Sequence, residues 1–169
     1  MSQSVLLEAS EGFSTAVFAA GCFWGVEDVF RSVDGVVDVV VGYTGGSLEH
    51  PTYQQVCGGE TGHAEAVLVS FDPRQVSYGV LLETFWRTHD PTTPNRQGPD
   101  VGSQYRSAVF VIDDTQKAAA ELSAQRVSSR FRRPIVTEVT PAGIFWRAEE
   151  YHQRYFSKHG GGGCHVPNW

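Results

Sequence analysis

Three cysteines, Cys22, Cys57 and Cys164, are spread over 169 residues with no CxxC pair, too few and too far apart for a disulfide scaffold or a zinc ribbon. If they do chemistry, they do it as thiols. Cys22 has the position for it. Phe13 to Ala20 reads as a strand ending at Gly21, and Phe23, Trp24, Val26, Val29, Phe30 and Val33 then recur at helical spacing as far as Gly35. A thiol at that junction meets unpaired backbone N–H groups and the positive end of the helix, which favour thiolate and lower its pKa. Gly21 and Gly25 on either side let backbone or substrate come close. The competing reading is a small buried cysteine that fills space.

Other groups are candidates to act with it. Phe23 and Trp24 are adjacent, so on a helix they point about 100° apart and cannot both face one core patch; at least one is free to wall a pocket for an apolar group. Glu65 lies in Ala-Glu-Ala-Val-Leu-Val-Ser-Phe, where strand alternation puts it on the apolar face of Val67, Val69 and Phe71. There it would be desolvated, with a pKa raised toward that of a general acid; at a strand edge it would simply be in water. Tyr43, Tyr53 and Tyr105 lie in or next to expected loops, as surface packing or as phenols able to donate to an oxygen gaining negative charge. His63, His89 and His152, with Cys57 or Asp90, show no metal-ligand spacing, so no metal and no cofactor are expected.

These residues need elements to hold them. Val36 to Val41 reads as a strand followed by a glycine-marked loop around Tyr43, Ala64 to Phe71 as a strand, Ser77 to Arg87 as a helix and Arg106 to Ile112 as a strand. That β-α-β-β-α-β order is the split βαβ arrangement of ferredoxin-like folds. Asp113 and Gln116 resemble a capping box opening a helix through Gln125; Ile135 to Val139 follows as a strand and Ala148 to Lys158 as a last helix. The segment from His89 to Gln104 has Pro91, Pro94, Pro99, Gly98 and Gly102 and no period, and loops of that length are usually functional. The expectation is one α+β domain over residues 1–169. It would be a two-layer sandwich with a ferredoxin-like split βαβ core, added C-terminal helices, a loose N-terminus over 1–12 and a flexible tail over 160–169, where four glycines tether Cys164.

Thirteen Lys and Arg against nineteen Asp and Glu leave a net charge of −6, and no basic block offers itself to a phosphate backbone, which argues against nucleic acid as partner. No apolar run approaches a membrane span, and the first residues lack the pattern of a signal peptide; a cytoplasmic monomer is expected.

The run Gly21-Cys22-Phe23-Trp24-Gly25 resembles the nucleophile signature of the A-type peptide methionine sulfoxide reductases. The resemblance continues through Gly42-Tyr43-Thr44-Gly45-Gly46, Pro51-Thr52-Tyr53, Thr61-Gly62-His63-Ala64-Glu65 and His89-Asp90-Pro91. Arg96 to Ser107 and Tyr151-His152-Gln153 complete the set, in the family's order. It implies reduction of the S epimer of methionine sulfoxide, in oxidised proteins or as the free amino acid. Cys22 would be the nucleophile and Glu65 the acid, with Tyr53 and Tyr105 as further donors to the sulfoxide oxygen. Phe23 and Trp24 would cage the sulfur's methyl group, Asp100 would support the site, and His152 belongs to the substrate-binding motif with its role open. A Cys22 sulfenic acid would condense with a second thiol to a disulfide that thioredoxin reduces. Cys164 is the candidate second thiol; Cys57, the competitor, aligns with a position the family does not need for turnover. Two rival readings are a cysteine hydrolase with His89 or His152 as base, and a non-catalytic oxidant sensor or methionine-binding module.

Overall fold

A computed structural model describes residues 2–161 and 167–169. In chain order the elements are β1 (Gln3–Val5), β2 (Ser14–Ala20), α1 (Phe23–Arg31), β3 (Val36–Thr44), α2 (Tyr53–Cys57), β4 (Ala64–Phe71), α3 (Tyr78–Thr88), β5 (Arg96–Gln97), β6 (Asp100–Val101), β7 (Ser107–Val111), α4 (Asp114–Val127), β8 (Glu138–Pro141), β9 (Phe145–Arg147) and α5 (Tyr155–His159). The main sheet runs β1-β9-β3-β4-β2-β7-β8, and β5 and β6 form a separate hairpin. Its four central strands, β3-β4-β2-β7, are antiparallel throughout and interleave α1 and α3 in the split βαβ order.

Period-2 alternation explains the layers. In β2, Ala16, Phe18 and Ala20 face the helices, while Val17 and Ala19 face a second apolar cluster with Ala66, Leu68, Phe110 and Phe145. On the helical side Phe18 stacks on Phe30 of α1 at 5.0 Å and on Phe85 of α3 at 5.3 Å, so one strand residue ties both helices to the sheet. Helix starts follow their caps: Ser77 accepts from Val80 N–H, and Asp113 accepts from Gln116 N–H.

Several expectations need correction. The first residues, expected to be loose, include β1, paired with β9 from Gln3↔Arg147 to Val5↔Phe145. The strand expected at Ile135 to Val139 begins at Glu138, where parallel pairing with β7 starts; Val136 N–H bonds instead to the Pro91 carbonyl. The final continuous helix is interrupted. Phe145–Arg147 is a strand, Glu150–His152 a single 3-10 turn, and Arg154 has φ +54 before α5 begins. Tertiary bonds impose this break: the Gln153 amide accepts from Val41 N–H at 3.0 Å and donates to the carbonyls of Val41 and Ala148. The tail, expected to be flexible from residue 160, has Asn168 and Trp169 held. Asn168 donates to the carbonyls of Trp86 and His89, and Trp169 lies under Arg130 and donates to Glu83. The tethered Cys164 lies outside the described residues.

Gly42 of β3 shows how closely β9 is packed: a Cβ there would overlap the Trp146 carbonyl oxygen and the Phe145 ring. Gly42→Ala is expected to lower stability by about 1–3 kcal/mol, read as a lower urea midpoint at unchanged slope. An unchanged midpoint would mean that β9 yields without cost.

Candidate functional site

The candidate residues converge because one end of the four central strands collects them. Cys22 follows the end of β2, Glu65 is the second residue of β4, Tyr53 opens α2 after β3, and Asp100 and Tyr105 come just before β7. Antiparallel pairing puts those strand ends side by side, with Ala20 opposite Ser107 and Tyr43 opposite Glu65.

Cys22 stands at the N-cap of α1, half-buried, and its side chain does not cap the helix. Gly21 before it has φ +95, and a Cβ there would meet the Gln97 side chain at 2.7 Å, so the β5–β6 hairpin lies against the backbone beside the thiol. The Gln97 amide is fixed by the Asp90 N–H and carbonyl at 2.9 and 2.8 Å. Glu65 is 1% exposed, which removes the reading of a solvated strand edge. Its Oε1 accepts from the Phe23 N–H at 3.2 Å, and its Oε2 is buried with no partner among the described residues. The first N–H groups of α1 are thus divided: that of Phe23 donates to Glu65, while those of Trp24 and Gly25 are near the Cys22 sulfur, without closing a capping bond, and favour its ionised form.

The electrostatics correct one expectation. The Cys22 pKa is not lowered; burial and then the Glu65 charge push it up to about 12, with Asp100 adding and the Trp24 and Gly25 N–H groups only partly opposing. Burial likewise pushes Glu65 up to about 8, against the Phe23 N–H and with Asp100. At neutral pH the site therefore rests with a protonated carboxyl next to a thiol. The two candidate phenols are also raised, Tyr53 by burial, its bond with Cys57 and then the Glu65 charge, and Tyr105 by burial and the Glu65 charge to about 12, so both keep their protons. Cys57 is exposed at the end of α2, and the Tyr53 hydroxyl interacts with its thiol.

Aromatic rings pack next to these groups. Phe23 is buried against Tyr43 and His152, with centroids at 5.8 and 5.1 Å. Trp24 is half-buried, stacks on Tyr155 at 3.8 Å, and donates its indole N–H to His152 Nδ1 at 2.9 Å. His152 is wholly buried, also packed by Tyr53 at 4.4 Å, and burial lowers its pKa. Because Nδ1 accepts, the proton is on Nε2.

A thiol, a neutral carboxyl with an open oxygen, two phenols and the half-buried Trp24 gather at this end of the sheet, which suits a substrate with a polar oxygen and an apolar sulfur group. The family model for peptide methionine sulfoxide reductase matches residues 14–168. The chain belongs to the peptide methionine sulfoxide reductase family. It is 62% identical over 153 residues to the peptide methionine sulfoxide reductase MsrA of Methanoculleus marisnigri, covering 89% of this chain and 93% of that one. Its fold matches Mxr1 of Saccharomyces cerevisiae in reduced form with a TM-score of 0.87 at 36% identity, over 92% and 91% of the two chains. The same yeast protein in complex with Trx2 matches at 0.65 and 25% identity, over 94% and 91%.

As a member of this family the chain is an oxidoreductase, and the rival hydrolase reading loses its base. His89 has both ring nitrogens engaged, Nδ1 with the Phe85 carbonyl and Nε2 with Ser107 Oγ at 2.7 Å each, and His152 turns Nδ1 to Trp24. His63 is structural: Nδ1 accepts from Gly46 N–H at 3.0 Å and Nε2 faces the Leu48 carbonyl. Sequence reasoning missed Gln97 and Glu149. Gln97 lies inside the matched Arg96 to Ser107 run and Glu149 two residues before Tyr151-His152-Gln153, so proximity to those motifs was the available signal.

Proposed function

We propose that this chain reduces the S epimer of methionine sulfoxide, protein-bound or free, to methionine, and that a thioredoxin reopens the resulting Cys22–Cys164 disulfide. The observation that carries this reading is the unpartnered Glu65 Oε2 in a buried, protonated carboxyl beside Cys22. A sulfoxide sulfur is a poor electrophile until its oxygen is protonated. Glu65 supplies that proton, Tyr53 and Tyr105 donate to the same oxygen, and the emptied carboxylate accepts the Cys22 thiol proton as sulfur attacks. The raised Cys22 pKa fits this order: the thiolate appears only as Glu65 hands its proton on. The step balances as thiol plus sulfoxide giving sulfenic acid plus sulfide. Condensation with a second thiol then releases water and forms the disulfide.

Stereochemical selection would come from holding oxygen and methyl by different groups. With oxygen toward Glu65 and methyl toward Phe23 and Trp24, the opposite epimer would press its oxygen on the rings; the family resemblance assigns the accepted hand as S. The yeast relative in complex with Trx2 supports thioredoxin as reductant. The biological role is repair of oxidised proteins by a cytoplasmic monomer.

The test is methionine release from separated epimers with dithiothreitol, followed by a thiol count after one turnover without it. Reduction of the S epimer alone, with loss of two thiols mapping to Cys22 and Cys164, is the expected result; reduction of neither epimer refutes the reading. Cys164→Ser is expected to form one equivalent of methionine and then stop with thioredoxin as reductant. Sustained turnover would transfer the second-thiol role to Cys57, which is exposed and interacts with Tyr53.

A further inference from the structure

Glu149 stands between β9 and the 3-10 turn Glu150–His152, and the chemistry above makes no use of it. Its carboxylate nevertheless joins three segments. Oε1 accepts from the Tyr43 hydroxyl of β3 at 2.8 Å, and Oε2 accepts from the Tyr53 backbone N–H at the start of α2 at 3.0 Å. The Tyr151 hydroxyl also donates toward Oε2, at 3.4 Å. Burial pushes this carboxyl up, but its own N–H, that of Tyr53 and the Tyr43 phenol together hold it below its ordinary value. It is an anion that only accepts, facing groups that donate.

Both main contacts bear on the sulfoxide site. Helix α2 has five residues, too few to hold itself, and its own capping box joins Thr52 only to Gln55. The Glu149 bond ties its first residue, Tyr53, to the segment that carries His152. Tyr43 is the register partner of Glu65 and feels its charge. With its hydroxyl committed to the buried side of Glu149, Tyr43 is withheld from the reacting oxygen, which leaves Tyr105, and Tyr53 once its hydroxyl turns from the exposed Cys57 thiol, as the donors.

We infer that Glu149 is a positioning residue for the reduction step, fixing the start of α2 and with it the Tyr53 phenol at the sulfoxide oxygen. This rests on the reductase reading. Glutamine at 149 keeps one acceptor and brings an NH2 group, so either Tyr43 or Tyr53 faces a donor instead of an acceptor. Aspartate keeps both acceptors on a stem one methylene shorter.

The experiment measures single-turnover methionine formation in the unsubstituted chain, Glu149→Gln, Glu149→Asp, Tyr53→Phe and the double variant Glu149→Gln/Tyr53→Phe, with thermal midpoints alongside. Glu149→Gln is expected to be slower by about ten- to a hundredfold, and Glu149→Asp by less. Because Glu149 acts through Tyr53, the double variant should fall within about twofold of Tyr53→Phe alone. An unslowed Glu149→Gln overturns the inference, and so do losses that multiply in the double variant, which mean an independent or merely structural role. If Glu149→Gln does not fold, Glu149→Asp combined with Tyr53→Phe makes the same comparison. An unsubstituted chain that reduces neither epimer removes the reductase reading and this inference with it; an active parent with an unaffected Glu149→Gln removes the inference alone.

Discussion

Cys22→Ser is expected to abolish methionine formation from the sulfoxide, by at least about a thousandfold, while leaving the fold intact. Two physical facts set the size of the loss. A serine hydroxyl is a far weaker acid and nucleophile than a thiol, and the surroundings already oppose ionisation, holding the thiol itself up to about 12. Oxygen also has no counterpart to the sulfenic acid, so the oxygen atom leaving the substrate has nowhere to go on serine. The fold should survive because Cys22 does not use its side chain to cap α1, and serine is a favoured N-cap residue. Methionine release by the purified variant, followed over several hours with dithiothreitol, would show that Cys22 is not the nucleophile.

Glu65→Gln is expected to slow the reduction step by about a hundredfold or more, in the range for loss of a positioned general acid, and to flatten its dependence on pH. Glutamine keeps the acceptor for the Phe23 N–H but has no proton to transfer. In the parent the reduction rate should fall as pH rises through about 8, where the carboxyl ionises; in the variant that fall disappears. Stability should also depend on pH, and there the substitution is a gain. The Glu65 carboxyl titrates near 4.5 when the chain is unfolded and at about 8 when folded, so between those values the native state holds the extra proton. Parent stability therefore declines as pH rises from about 4.5 through 8, and Glu65→Gln removes the decline. The variant should gain on the parent by an amount on the order of a few kcal/mol at pH 8 and above, and by little near pH 4.5. Urea midpoints measured across that range decide the matter: a constant difference between the two proteins would mean that Glu65 is already ionised in the folded state. Burial of the Glu65 carboxyl thus costs stability, as is common for groups at functional sites.

Much of this protein was legible from local pattern. The β-rich run from Phe13 to Ala20, the alternation of Ala64 to Phe71, the helical spacing from Phe23 to Phe30 and the cap at Asp113 lead directly to elements that the structure contains, in the split βαβ order. Strand alternation also put Glu65 on the buried apolar face where it is found. Short elements were not legible. β1, β5, β6 and β9 have two or three residues each, fewer than any periodicity needs, and form only because a partner strand meets them. The last helix failed for the same reason in reverse: its pattern is helical, but Gln153 bonds more to the backbone of β3 and Ala148 than a continuing helix would provide.

What the sequence by itself determined is the inventory: a cysteine at a strand-to-helix junction, a carboxyl at the head of an apolar strand, three phenols, and the order in which they are strung; the loops expected around those phenols are β3 for Tyr43, the start of α2 for Tyr53 and a 3-10 turn for Tyr105. What only the tertiary structure decided is their protonation and their company. The helix end alone argues for a thiolate at Cys22, yet burial, Glu65 and Asp100 reverse the shift, because desolvation and charge act through space between residues far apart in the chain. Glu149 became visible for the same reason: nothing local couples it to Tyr43 or Tyr53, about a hundred residues away, until the end of β9 folds against β3 and α2.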